Sequence, residues 1–369
     1  AGTDADATSK VQAIVDDYAS VLDAAANNIP LNLTDADYAG LGVTGVDANG
    51  ATLLNSVVPD KAIADVNGVS QLQTLASQAG EVLALADNAD PAPDVTKGDL
   101  EDLGITGITD DKLAAVLGAI ADSDSGSVNT QTGLQSVVTA ALGAFDSALA
   151  KIKAYADDAN QPVPDADDYK AIGMDVKGFN ADQIATAVSS VLETGAVGQA
   201  DADSAEKVQG IVNAYAKVFT AADDTFNFNA GDVDNAVLAK IGFANLSDKR
   251  LDFLQSSLDL LDNSDVATYD DLAGVIGLID DVFAVAEQGA NASHNLTPET
   301  FSTLGIRNVT DDNVSELIEK INTTFDDPDA TGTKPAPTMA GVRSVLNNIA
   351  ALNEGRQALV DAALAQGGG

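Results

Sequence analysis

Five times along this chain a glycine stands between two large apolar residues, with another large apolar residue four positions before it. The phrases are Leu41-Gly42-Val43 after Tyr38, Leu103-Gly104-Ile105 after Leu100, Ile172-Gly173-Met174 after Tyr169, Ile241-Gly242-Phe243 after Leu238, and Leu304-Gly305-Ile306 after Phe301. Their glycines lie 62, 69, 69 and 63 residues apart. Glycine enters the left-handed region without steric penalty, so this grammar predicts a helix that stops at each glycine and turns its next residue back onto the core. A second phrase alternates with the first: Val11-Gln12-Ala13-Ile14-Val15, Leu72-Gln73-Thr74-Leu75, Leu134-Gln135-Ser136-Val137-Val138, Val208-Gln209-Gly210-Ile211-Val212, Val275-Ile276-Gly277-Leu278-Ile279 and Val342-Arg343-Ser344-Val345-Leu346. Such a period predicts a tandem array of one small unit, each repeat leaning on its neighbours.

Every repeat reads as three helices. The first is long and amphipathic: Val11, Ile14, Val15, Tyr18, Val21, Leu22 and Ala25 recur at three- and four-residue steps, with Asp16, Asp17 and Asp23 opposite. Ser9, Thr130, Ser204 and Thr268 are candidate caps for these first helices. The second is short and begins at an explicit signal, as in Thr34-Asp35-Ala36-Asp37 or Thr297-Pro298-Glu299. The third follows starts such as Thr109-Asp110-Asp111, Ser247-Asp248-Lys249 and Thr310-Asp311-Asp312, and runs through stretches like Leu113 to Ile120. No period-2 run competes as a strand. The expected fold is therefore all-α, a tandem array of three-helix bundle modules of about 62 to 74 residues each. Module boundaries fall at 1–67, 68–129, 130–202, 203–266 and 267–338. Residues 339–369 form a terminal amphipathic helix, read either as a cap on the fifth module or as a joint between subunits.

Composition narrows the partners. The chain carries 57 acidic and 18 basic residues, for a net charge of −39, and 48 of the acids are Asp. Asp favours caps and turns over helix interiors, so much of this charge belongs at helix starts. No basic patch exists to meet phosphate, which excludes nucleic acid and argues against anionic membrane surfaces. No apolar run is long enough to span a bilayer. Cysteine is absent, so the fold must be held by packing rather than disulfides. That absence, with the acidic repeats, suits an exported bacterial protein.

Residues with chemical potential are few. His294 is the one histidine, in the polar stretch Gly289 to His294, and reads as a solvated loop residue. Without Cys or a second His there is no zinc ligand set and no Ser/His or Cys/His nucleophile, and no phosphate loop is present, so the chain does not read as an enzyme. Calcium is the one cofactor the pattern admits. The candidate ligands are Asp122 and Asp124, then Asp165, Asp167 and Asp168, then Asp326, Asp327 and Asp329, each cluster reading first as a solvated turn. Seven Asn-x-Ser/Thr sequons occur, at Asn32, Asn245, Asn291, Asn295, Asn308, Asn313 and Asn322; several coincide with expected helix caps.

A Thr-led helix start, an aromatic, Leu-Gly-Ile and then Gly-Ile-Thr-Asp-Asp-Lys-Leu make one combination, matched best at Asp99 to Ile120 and closely behind at Leu304 to Ile321. These residues resemble the tandem helical repeats of large bacterial surface proteins and adhesins. The resemblance implies an extracellular, cell-surface location and a structural role: a self-assembling filament, surface-layer or stalk subunit, homo-oligomeric through its own repeats. The alternative is an adhesin module that grips a host or matrix protein through one helical face, stiffened by calcium.

Overall fold

The computed structural model describes residues 2–198, 201–223, 232–288, 294, 296–326 and 334–367, with side chains described from residue 8 to residue 359 outside the gaps. Among the described residues it is all-helical, without strands. In chain order the helices are α1 (Gly2–Asn27), α2 (Asp35–Gly40), α3 (Ala48–Val57), α4 (Val69–Ala86), α5 (Lys97–Asp102), α6 (Leu113–Ala121), α7 (Ser125–Val128), α8 (Gln131–Asp157) and α9 (Ala166–Ala171). They continue with α10 (Ala181–Glu193), α11 (Ala205–Ala221), α12 (Asn235–Lys240), α13 (Asp248–Leu258), α14 (Tyr269–Gln288), α15 (Pro298–Thr303), α16 (Val314–Thr324) and α17 (Met339–Gly367).

The five glycines behave alike. Each has positive φ: Gly42 at 88°, Gly104 at 80°, Gly173 at 75°, Gly242 at 89° and Gly305 at 79°. Each closes its short helix with the same pair of backbone bonds. The Val43 amide donates to the Tyr38 carbonyl (3.0 Å) and the Gly42 amide to Ala39 (3.1 Å). The corresponding longer bonds run from Ile105 to Leu100 (2.9 Å), Met174 to Tyr169 (3.1 Å), Phe243 to Leu238 (3.0 Å) and Ile306 to Phe301 (2.7 Å). This is the Schellman closure, and its apolar pair is the pair found in the sequence phrase. Tyr38, Leu100, Tyr169, Leu238 and Phe301 are all buried. At Gly173, Gly242 and Gly305 a Cβ would also stand 2.6–2.7 Å from Ala115, Ala196 and Leu260 respectively, so glycine there serves close approach as well as conformation.

Helix starts follow the sequence in part. Thr34 with Asp37, Thr96 with Asp99 and Thr297 with Thr300 form capping boxes. Thr130 and Thr268 cap through their hydroxyls, accepting from the amides of Gly133 (3.1 Å) and Asp271 (3.3 Å). Ser9 does not cap: α1 begins earlier and Ser9 lies inside it. Ser247 takes the N-cap backbone but its hydroxyl is buried without a hydrogen-bond partner. At Thr109 a single 3-10 turn, Asp110–Lys112, precedes α6.

The chain separates into two compact units. The first comprises 1–153, 167–174 and 203–206, the second 154–166, 175–202 and 207–369. In the first unit one continuous set of buried apolar side chains runs from Val21 in α1 to Ala141 in α8. Helix α4 explains the continuity, because it packs on α3 before it as well as on α6 after it. In the second unit α14 likewise packs on α13 before it and α16 after it. A long helix placed between two shorter ones belongs to both of their cores. Small Ala, Val and Leu side chains let the helices come close enough for that. Some contacts join residues far apart in the chain: the Ser56 hydroxyl accepts from the Gln131 amide (2.8 Å) in the first unit, and the Ser190 hydroxyl from the Tyr269 amide (2.8 Å) in the second.

Candidate functional site

The most repeated arrangement of polar side chains is a joint between one glycine turn and the next long helix. Beyond each turn the backbone runs on for at least five residues before the next helical segment, and its amides and carbonyls need partners. In the first unit Gln73 of α4 supplies both: its Oε1 accepts from the Thr44 amide (2.8 Å) and its Nε2 donates to the Thr44 carbonyl (3.1 Å). Gln135 of α8 does the same for Thr106, at 2.9 and 3.2 Å. In the second unit Gln209 of α11 does it for Asp175, at 2.8 and 2.9 Å. In all three the second Nε2 hydrogen goes to the residue four positions on, Ser77, Thr139 or Asn213, which fixes the amide's orientation. A primary amide is the one neutral side-chain group that can pair with a peptide group in this two-handed way.

The two later joints differ. Where the fourth glutamine would stand there is Ile276, and Phe243 stacks instead on Tyr269 with ring centroids 4.4 Å apart and planes 8° from parallel. At the fifth, Arg343 replaces the glutamine. Arg343 and Arg307 line one cleft of about 450 Å³ together with Asp259, Asp262, Gly305 and Asn347.

The sequence phrase already held this site, since glutamine recurs as Gln12, Gln73, Gln135 and Gln209 at one helical position. Its role was not legible there, because a glutamine on the polar side of an amphipathic helix needs no partner.

The candidate calcium ligands among the described residues are engaged within the protein. Asp122 takes the Lys170 ammonium at 2.7 Å, and that hydrogen bond holds the Lys170 pKa above its ordinary value. Asp124 caps α7, accepting from the Ser127 amide (3.0 Å) and hydroxyl (2.9 Å). Asp168 pairs with Lys151, and Asp167 lies in the first turn of α9. Asp165 is engaged as well and belongs to the second unit, whereas Asp167 and Asp168 belong to the first. Asp326 accepts from the Lys334 amide (3.0 Å) and ammonium (3.2 Å). Asp327 and Asp329 lie outside the described residues. Among the described residues no three acidic or histidine side chains converge as a metal would require.

His294 is not merely solvated. Its Nδ1 lies 2.8 Å from an Asp281 carboxylate oxygen of α14. Asn322 donates to the carbonyls of Val285 (3.0 Å) and Ala286 (3.2 Å), so its amide is used internally. Asn313 braces its turn, accepting from the Thr310 amide (2.8 Å) and donating to the Asn308 carbonyl (3.1 Å). The sequons at Asn291 and Asn295 lie outside the described residues.

No helix of the described residues is long and apolar enough to cross a membrane. No known family model, curated protein sequence or solved structure matches this chain.

Proposed function

We propose that this chain is an extracellular structural protein of a bacterial cell surface, a tandem array of three-helix repeats that assembles with further copies into a filament, layer or stalk. The observation that carries this reading is the joint. One turn geometry occurs five times, and three times a glutamine from the following repeat grips the backbone beyond it. Backbone recognition of this sort is indifferent to side-chain identity, so it suits a surface that must join many similar units. Shared long helices point the same way, because neighbouring repeats stabilise one another through common cores. A charge of −39 keeps such an array soluble and resists indiscriminate association. Asp122, Asp168 and Asp326 serve ion pairs and Asp124 a cap, roles that suit a structural array.

Negative-stain electron microscopy across protein concentration and ionic strength tests the reading. Ordered end-to-end objects are expected once salt screens the acidic surface. Particles that stay monomeric under every condition would overturn it.

A further inference from the structure

Among the described residues, the first repeat holds the receiving half of a joint with nothing docked in it. In the later repeats the first and fifth residues of the second phrase are buried: Leu72 and Ala76, Leu134 and Val138, Val208 and Val212, Val275 and Ile279, Val342 and Leu346. The two equivalents in α1 are exposed, Val11 at 61 % and Val15 at 54 %, with Ile14 beside them at 42 %. Farther along the same helix Val21 and Ala24 are buried, because α1 packs there on α2 and the 3-10 turns Val58–Asp60 and Ile63–Asp65. Only the half that would face a preceding repeat is bare.

Gln12 sits on that bare half at the clamp position. Its Nε2 donates to Asp16 four residues on (2.8 Å), the same orientation that Ser77, Thr139 and Asn213 impose on the three working clamps. The amide is thus set in the gripping pose, with no glycine turn beside it.

At the other end of the chain the fifth turn has the opposite character. Helix α17 seats Met339, Val342, Leu346 and Ile349 against α16 and α13, yet it brings Arg343 where the clamp belongs. The joint consequently keeps a cleft lined by two arginines, Arg307 and Arg343. Aligned on the second phrase, α1 would set Gln12 in place of Arg343 and Asp16 in place of Asn347. One like charge would leave the cleft and an acid would arrive near Arg307, while Val11 and Val15 would fill the sites of Val342 and Leu346.

We propose that α1 is a socket for the fifth glycine turn of a second copy of this chain, with Gln12 clamping that copy's Arg307 backbone. Helix α17 holds the seat in the isolated chain and yields it when copies join head to tail. This rests on the self-assembly reading and specifies its contact.

The 369-residue chain, compared by sedimentation velocity and electron microscopy at rising concentration in high salt, provides the test. Val15→Asp changes an exposed residue, so the monomer should fold as before by circular dichroism. The multimer, however, should need about tenfold more protein or be lost, since a charge would be buried in the joint. Arg343→Gln should also disfavour multimers, because it lets α17 clamp its own Arg307. As the chain has no cysteine, Gln12→Cys and Arg307→Cys placed on separate copies should form a disulfide only across the proposed contact. Multimers that ignore both Val15→Asp and Arg343→Gln would overturn the socket while leaving self-assembly standing. A wild-type chain that never assembles would overturn both.

Discussion

The joints at Thr106 and at Phe243 solve one problem by different chemistry. At the first, two hydrogen bonds from Gln135 satisfy the backbone beyond the turn, and the contact stays largely exposed. At the second, Ile276 stands at the glutamine position and the Phe243 and Tyr269 rings stack on each other instead. A hydrogen-bonded clamp fixes register with little burial, whereas stacked rings contribute area with looser angular demands. The contrast teaches that the turn, not its cover, is the invariant part of the joint.

Substituting the turn itself should have the largest effect. Gly173→Ala forces a left-handed alanine and places its Cβ against the Ala115 backbone, so a loss of about 2–5 kcal/mol is expected. Gly42→Ala meets no backbone and should lose only about 1–2 kcal/mol from conformation. Urea unfolding of the two variants measures the gap, and equal losses would remove close approach as a reason for glycine.

Next in size is the aromatic joint. Phe243→Ala should cost about 2 kcal/mol through lost area and stacking, and Phe243→Leu should recover part of it. At the amide joint, Gln135→Ala should cost only about 1 kcal/mol, because water can replace the lost bonds at an exposed site. Gln135→Met keeps the bulk but not the bonds. Full recovery by methionine would mean that packing rather than hydrogen bonding holds Thr106. Hydrogen exchange at the Thr106 amide separates the two independently, since only a lost bond should speed it in the methionine variant.

The smallest effect concerns acid. Hydrogen bonds from the Thr34 backbone and hydroxyl hold the Asp37 carboxyl below its ordinary range. At Asp99 partial burial pushes upward, but the Thr96 hydroxyl, the Thr96 amide and Gln78 together outweigh it and the net shift is downward. Folding thus favours the ionised forms, so their stabilisation is present above the unfolded pKa of roughly 4 and fades as pH falls through the lower folded value. Asp99→Asn should therefore weaken the protein at neutral pH, with the difference from wild type narrowing in strong acid. A difference that stays constant down to pH values of about 2 would assign the cap to geometry alone.

Much of the fold was legible in advance for a physical reason. Capping grammar is local: Thr34, Thr96 and Thr297 with their third residues, and each glycine with its two apolar neighbours, act within six residues of chain. The amphipathic stripes of the long helices were equally plain. Legibility failed where a side chain's partner lies far along the chain. Gln73 meets Thr44 across 29 residues, and Asp122 meets Lys170 across still more. An aspartate cluster seen in sequence does not reveal whether a cap, a lysine or an ion will occupy it.

The five glycine turns and the Thr-led caps at Thr34, Thr96 and Thr297 were thus set by the sequence alone, because backbone conformation at glycine and hydrogen bonding at a cap are decided by near neighbours. Only the tertiary structure decided that α4 and α14 each serve two cores, that glutamines read backbone across a joint, and that the same stripe is buried in α4 yet bare in α1. Those outcomes depend on which surfaces meet, and burial is a property of the neighbour as much as of the residue.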